Sequence, residues 1–207
     1  MPLLDLDAFR AAPLVTAPFQ HIVLRGFLKP ETAQAVRADF PEIASPGLLP
    51  LGATTPGPAF TALIDELTGP AVTAAFSEKF GIDLTDRQTM VTLRGRAQDK
   101  DGRIHTDSTA KLVTALLYFN DGWDELGGRL RLLRGPDDLS DMIAEVPPAL
   151  GTLVAFRRSD NSYHGHEPFT GVRRYVMINW MTSGLAAQRE LMRHRLSAQA
   201  KKMLHYV

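Results

Sequence analysis

The chain has 207 residues, is 44% hydrophobic, and sets 23 basic side chains against 23 acidic ones, with no cysteine. A chain of this length can bury a substantial core as one domain, and its even charge offers no field to attract nucleic acid or an acidic membrane. Without cysteine neither disulfides nor thiolate metal ligands are available, which suits a reducing compartment.

Residues 4–12 form a short helix candidate, closed by Pro13 and Pro18. Asp5, Asp7 and Arg10 interrupt its apolar run, which is incompatible with a signal-peptide core. No stretch approaches the roughly eighteen apolar residues of a membrane span, so the expectation is a cytoplasmic protein with no membrane partner. Residues 21–27 alternate as a strand. Pro30 suits a helix start, with Ala33, Val36 and Phe40 on one face. Residues 41–58 hold five prolines together with Gly47, Gly52 and Gly57 and read as an irregular surface loop, a substrate-covering segment being the alternative. Two helices follow. Residues 59–67 carry a stripe of Phe60, Leu63, Ile64 and Leu67, and Pro70–Phe80 is stopped by Gly81.

From residue 88 the pattern changes to strands. Residues 88–97 alternate Met90, Thr92 and Arg94 against Val91, Leu93 and Gly95, and a polar turn over 98–102 leads into Arg103-Ile104-His105-Thr106-Asp107-Ser108. Strands are expected over 111–120, ended by Asn120-Asp121-Gly122, and over 129–133. Residues 135–144 read as an irregular acidic excursion, and 150–156, 162–169 and 174–181 complete the set. Residues 185–204 form a helix whose stripe of Leu185, Met192, Leu196 and Met203 is expected to pack on the outside of the sheet. The fold class is therefore mainly β with flanking helices, an α+β sandwich or barrel. One domain over 1–207 is expected: a helical support region 1–87, a core 88–182 and a C-terminal helix 183–207.

His105 and Asp107 are two residues apart, so on a strand end both side chains leave the same face. A second imidazole from a distant strand would complete a 2-His-1-carboxylate facial triad, which suits non-haem Fe(II) and leaves positions open. His164 is the candidate. Ten residues further on, Arg174 shares a strand face with Val176, Ile178 and Trp180. A guanidinium buried among such neighbours needs an anion, whereas Arg173 reads as the surface arginine. Arg94, Arg96, Arg103, Arg157 and Arg158 read as solvated, a cationic rim that favours an anionic substrate being the alternative.

In this order the segments resemble the Fe(II)/2-oxoglutarate-dependent oxygenases, within them the prolyl 4-hydroxylase-like branch. The likeness extends to Leu116-Leu117-Tyr118-Phe119-Asn120, Gly127-Gly128-Arg129-Leu130-Arg131-Leu132, Gly151-Thr152-Leu153-Val154-Ala155-Phe156 and His164-Gly165-His166-Glu167-Pro168-Phe169. It also takes in Arg174 with Trp180 six residues on, and spans about residues 88–182. The resemblance implies a double-stranded β-helix (jelly-roll) core with N-terminal helices and a C-terminal helix. It implies Fe(II) on His105, Asp107 and His164, 2-oxoglutarate on Arg174 and Tyr118, O2 as oxidant, and ascorbate as a candidate stimulant. The activity implied is hydroxylation of a C–H bond with release of succinate and CO2. Halogenases of the wider superfamily lack the carboxylate, so Asp107 favours hydroxylation. The substrate, a peptidyl proline or other residue or a small molecule, is left open.

Pro168 follows His164 by four residues, as in the family's distal-histidine segment, which makes His166 a substrate-facing or structural residue. His21, His194 and His205 read as surface or structural. Two other classes compete. A metal-dependent hydrolase would activate water on zinc but would leave Arg174 and Tyr118 without a role. A non-catalytic jelly-roll binding module would not need the full ligand set.

Overall fold

The computed structural model describes residues 2–204, with backbone alone for 194, 195 and 197–204. His205 lies outside the described residues, as do the side chains of His194 and Met203. The elements in chain order are α1 (Leu6–Ala11), β1 (His21–Leu24), α2 (Pro30–Ala38), β2 (Leu49–Pro50), α3 (Pro58–Leu67), α4 (Pro70–Phe80), β3 (Thr89–Ala97), β4 (Lys111–Tyr118), β5 (Leu130–Leu133), β6 (Met142–Val146), β7 (Leu153–Arg157), β8 (His164–Gly165), β9 (Gly171–Met181) and α5 (Gly184–Leu204). Among these helices none is long and apolar enough to cross a membrane.

Local chemistry sets the helix ends. Asp5 caps α1 by accepting the Ala8 amide at 2.8 Å. Proline opens α2, α3 and α4, where its missing N–H costs nothing. Gly81 ends α4 in the left-handed conformation, at φ 59°.

The strands make two antiparallel sheets, a large one in the order β1-β7-β4-β9-β3-β2 and a small one in the order β6-β5-β8. The large sheet is buried on both faces, which is why β4 and β9 read as nearly continuous apolar runs rather than clean alternations. On one face Val113, Ala115, Leu117, Val176, Ile178 and Trp180 pack against the N-terminal helices. Phe76 joins the layers there, its ring stacked 4.5 Å from Phe9 and 4.7 Å from Trp180. Each such ring stabilises the layer by about 1.5–3 kcal/mol through burial. On the other face Leu116, Tyr118, Tyr175 and Met177 meet Leu130, Leu132 and Val146 of the small sheet. The site lies between these two sheets, in the jelly-roll interior.

Three expectations need correction. The loop after α2 is not wholly irregular, because Leu49 and Pro50 pair with Leu93 and Thr92 at the sheet edge. The acidic excursion yields β6, which extends back to Met142 and pairs with β5. The expected stripe of α5 faces outward, with Leu185, Met192 and Leu196 all more than 60% exposed. Ala186, Ala187 and Leu191 pack against Met90 and Met181 instead. Small residues let the helix lie close to the sheet, and the larger apolar ones are left on the far side.

Candidate active site

His105 does not sit on a strand end. Residues 98–110 form a loop between β3 and β4, in which His105 makes one isolated bridge to His164. The two residues exchange backbone hydrogen bonds of 3.1 and 3.0 Å. Asp101 closes the preceding turn by accepting from Arg94 and, at 3.0 Å, from the Gln98 amide. The His166 amide then donates to the Gly102 carbonyl at 2.9 Å. Gly102 has φ 89°, and a Cβ there would overlap the His166 ring. A Cβ on Gly165 would lie 2.7 Å from the Gly102 oxygen. Only glycine allows the loop and β8 to cross this closely. The crossing delivers Asp107 and His105 to the distal histidine.

The ligand atoms are prepared by their neighbours. Nδ1 of His105 lies 2.8 Å from the Arg103 carbonyl, and Nδ1 of His164 lies 3.0 Å from that of Ser162. A carbonyl can only accept, so Nδ1 carries the proton and Nε2 presents a lone pair. Asp107 Oδ1 accepts from Lys111 Nζ at 2.7 Å, and Oδ2 accepts from the Thr114 hydroxyl. Thr114 is oriented in turn by Asn179 Nδ2 at 2.8 Å. Burial pushes the Asp107 carboxyl up, but the charges of Lys111 and His164 and the bonds from Lys111 and Thr114 outweigh it and bring its pKa down to about 2. Burial lowers His164 to about 4, with Asp107 opposing in part. The carboxylate is therefore ionised and His164 neutral at pH 7, as metal ligation requires.

Ligand atoms of His105, Asp107 and His164 all lie within 4.8 Å of one another. A small rotation of the side chains closes that span to the roughly 4 Å or less that one ion with bonds of about 2 Å can bridge. His166 is not part of the group. It lies beside it with Nδ1 bonded to the Glu167 carbonyl at 2.8 Å, and burial, followed by the charge of Arg173, lowers it to about 4.

The two arginines of β9 are placed opposite to expectation. Arg174 does share a face with Val176, Ile178 and Trp180, but that face meets the helices. Its side chain lies at the margin of the layer, in a shallow cleft with Arg37 and Asp121. Arg173 points the other way, into a cavity of about 470 Å³ that also contains the triad, and is 2% exposed. The sheet register gives the reason. Tyr118 pairs directly with Tyr175, so a site that uses Tyr118 must use the face of residues 173, 175 and 177. The guanidinium of Arg173 lies over the rings of Tyr175 and Tyr118, at 5.1 and 5.5 Å, and its Nε donates to the Gly128 carbonyl at 2.7 Å. Among the described residues, Arg173 Nη2 and Tyr118 Oη find no hydrogen-bond partner although both are buried. Burial raises the Tyr118 hydroxyl to about 12 despite the nearby arginine, so it stays a donor.

Sequence reasoning also missed Lys111 and Thr114, which hold Asp107, and Asn179, which orients Thr114. The spacing of Lys111 and Thr114, four and seven residues after Asp107, was visible, but nothing in it showed that the loop folds back onto β4.

The profile of the 2OG-Fe(II) oxygenase superfamily matches residues 93–182, the stretch that holds the whole triad and both tyrosines. Over that stretch, somewhat under half of its length, the chain carries the core of that superfamily. It is an oxygenase whose His-Asp-His triad and family imply Fe(II) and 2-oxoglutarate. No curated protein matches it. Its fold is similar to that of a Pseudomonas putida prolyl-4-hydroxylase, at 17% identity and TM-score 0.56 over 86% of this chain and 93% of that one. The viral collagen prolyl hydroxylase of Paramecium Bursaria Chlorella virus-1, solved as a 2OG complex, is 14% identical with TM-score 0.54 over 78% and 96%. A prolyl 4-hydroxylase from Phytophthora capsici is 20% identical with TM-score 0.54, over 79% of the oxygenase and 59% of its own chain. At these identities the likeness is one of fold, and the oxygenase shares their jelly roll with helices before and after it.

Proposed function

We propose that the oxygenase hydroxylates a C–H bond of its substrate, with Fe(II) held by His105, Asp107 and His164 and 2-oxoglutarate anchored by Arg173 and Tyr118. The observation that carries this reading is a pair of orphaned donors: Arg173 Nη2, on the wall of the cavity that contains the triad, and Tyr118 Oη, buried beside the same guanidinium. An unmet buried donor is costly, more so when charged. A carboxylate at the far end of a ligand anchored on the metal would satisfy both. A hydrolytic metal site would leave them unmet.

When bound, the iron and 2-oxoglutarate supply O2 activation coupled to loss of CO2. The chain's own residues set up the rest. Lys111 and Thr114 fix both carboxylate oxygens of Asp107, so the ligand is in place before the metal arrives. Arg173 offers a planar fork to the distant carboxylate, and the two tyrosine rings hold that fork in orientation. Leu116, Leu130 and Met177 give the cavity apolar walls that exclude water around the co-substrate. His166, with Nδ1 committed to Glu167, presents an Nε2 lone pair to the same cavity and is suited to orient a substrate donor.

The test is spectroscopic. Under argon, Fe(II) plus 2-oxoglutarate should give a weak visible charge-transfer band in the wild type. In Arg173→Gln the band should appear only at much higher 2-oxoglutarate. Wild-type protein without the band, or a variant that titrates like wild type, would overturn the assignment.

A further inference from the structure

The cavity holds one cation more than the proposed reaction uses. Besides Arg173 it is lined by Arg94, Lys111 and Arg193. Arg94 is matched by Asp101, and its Nε donates to the Tyr175 hydroxyl at 3.0 Å. Arg193, which reaches the cavity from α5, is matched by Glu190 at 2.7 Å. Lys111 is matched by Asp107 at 2.7 Å. That last match holds only while Asp107 has no other cation to serve. With a divalent metal on Asp107, the carboxylate's single charge is shared, and Lys111 becomes a buried ammonium with too little counter-charge. 2-Oxoglutarate brings two negative charges, which balance Arg173 and one charge of the metal. Asp107 then balances the other, and Lys111 is left over.

A buried, uncompensated ammonium is expensive. Among the described residues Asp107 takes one of its three N–H donors, so two remain for a ligand. The whole chain has no net charge, so this excess is local to the cavity. Arg193 is suited to meet the same ligand at the mouth, because its side chain is 69% exposed and its described ion pair is a single Nη2 contact.

We infer that the substrate carries an anionic group, a carboxylate or a phosphoryl group, which Lys111 binds inside the cavity and Arg193 binds at its mouth. This rests on the function proposed above and deepens it, since it gives the substrate class of that same site. It also gives a metal-dependent order of binding, since Lys111 would have charge to spare for the anion only once a metal shared the carboxylate of Asp107.

Inorganic sulfate serves as the probe, titrated calorimetrically into the anaerobic Fe(II)·2-oxoglutarate enzyme. Sulfate should bind that form and bind the metal-free protein about tenfold more weakly or less, since Lys111 is then still paired. Lys111→Met and Arg193→Gln should each weaken binding to the holoenzyme by about tenfold. Arg193→Gln, on an exposed helix away from the metal ligands, decides the matter if Lys111→Met fails to hold iron. Displacement of sulfate by acetate or by methyl phosphate, whichever acts at the lower concentration, gives the anion of the substrate. Loss of the charge-transfer band in wild type would overturn the function beneath this inference. A normal band with no sulfate binding, or with sulfate binding unchanged in Arg193→Gln, overturns the anion subsite alone.

Discussion

The two faces of the large sheet use the same strands for different ends. Toward the helices, β4 and β9 present Val113, Ala115, Leu117, Val176, Ile178 and Trp180, a dry layer bonded by dispersion and burial. Toward the small sheet the same strands present Thr114, Leu116, Tyr118, Arg173, Tyr175 and Met177, where polar groups are interleaved with apolar ones around a cavity. One face specifies the fold and the other holds the chemistry. Arg173 and Arg174, adjacent in sequence, fall on opposite sides of that division.

The largest effects belong to the cavity face. His105→Ala, Asp107→Ala and His164→Ala each remove one of three ligands, and each should abolish 2-oxoglutarate turnover and lower Fe(II) affinity in an anaerobic titration. His166→Ala should keep iron, with any loss confined to coupled product formation. Iron loss in His166→Ala together with retention in His164→Ala would exchange their roles.

Next comes the pair of arginines, which breaks the comparison most directly. Arg173→Ala should weaken 2-oxoglutarate binding by a hundredfold or more, since breaking a buried charge pair costs about 3–5 kcal/mol. Arg174→Ala should leave the co-substrate titration unchanged. Lysine at 173 should rescue only in part, because it cannot present the planar fork. Equal losses in the two alanine variants would mean that the faces are not separate.

Most elements were legible before the structure because their signals are local. Prolines at helix starts, Gly81 after α4 and turn residues between strands give element type without knowledge of the neighbours. The triad was legible because His-x-Asp and a distal histidine are spaced by the chain itself. The face of β9 was not. Both sides of that strand are buried, so hydrophobicity carries no direction, and only the pairing of Tyr118 with Tyr175 breaks the tie. The support of Asp107 by Lys111 and Thr114 was hidden for a related reason. It depends on the loop 98–110 turning back at Gly102, a tertiary crossing with no sequence period. The outward stripe of α5 shows the reverse error, an apolar pattern taken for a buried one.

A smaller effect sharpens the division within the cavity face. Thr114 is 1% exposed and donates to Asp107 while it accepts from Asn179. Thr114→Val keeps the shape and removes the hydroxyl. Loss of such an outer contact to a metal ligand costs roughly 10–100-fold in metal affinity. Fe(II) titration should show that loss with the 2-oxoglutarate response of the loaded enzyme largely kept. Unchanged iron affinity would leave Lys111 as the sole support of Asp107.

The smallest expected effect is on stability against pH, and it too separates the faces. His164 and His166, both on the cavity side, have pKa values lowered to about 4 from 6.5. The unfolded chain therefore takes up protons that the folded metal-free protein refuses between those values. Stability is fully present above about pH 6.5 and declines as the pH falls toward 4. Asp107 acts in a lower window: its pKa is about 2 in the fold against 3.8, so the stability it contributes is present above 3.8 and lost as the pH falls through 2. Melting of the metal-free protein from pH 7 to 5 should thus report the imidazoles alone, with a loss of about 2–3 kcal/mol near pH 5.5. His166→Gln should flatten part of that decline without any change in the helix-facing layer. A metal held by Nε2 of His164 should flatten it further, because a ligated nitrogen cannot take the proton and the bound ion stabilises the folded form. An equally steep decline in wild type and His166→Gln, each with and without metal, would place the titrating groups outside the cavity.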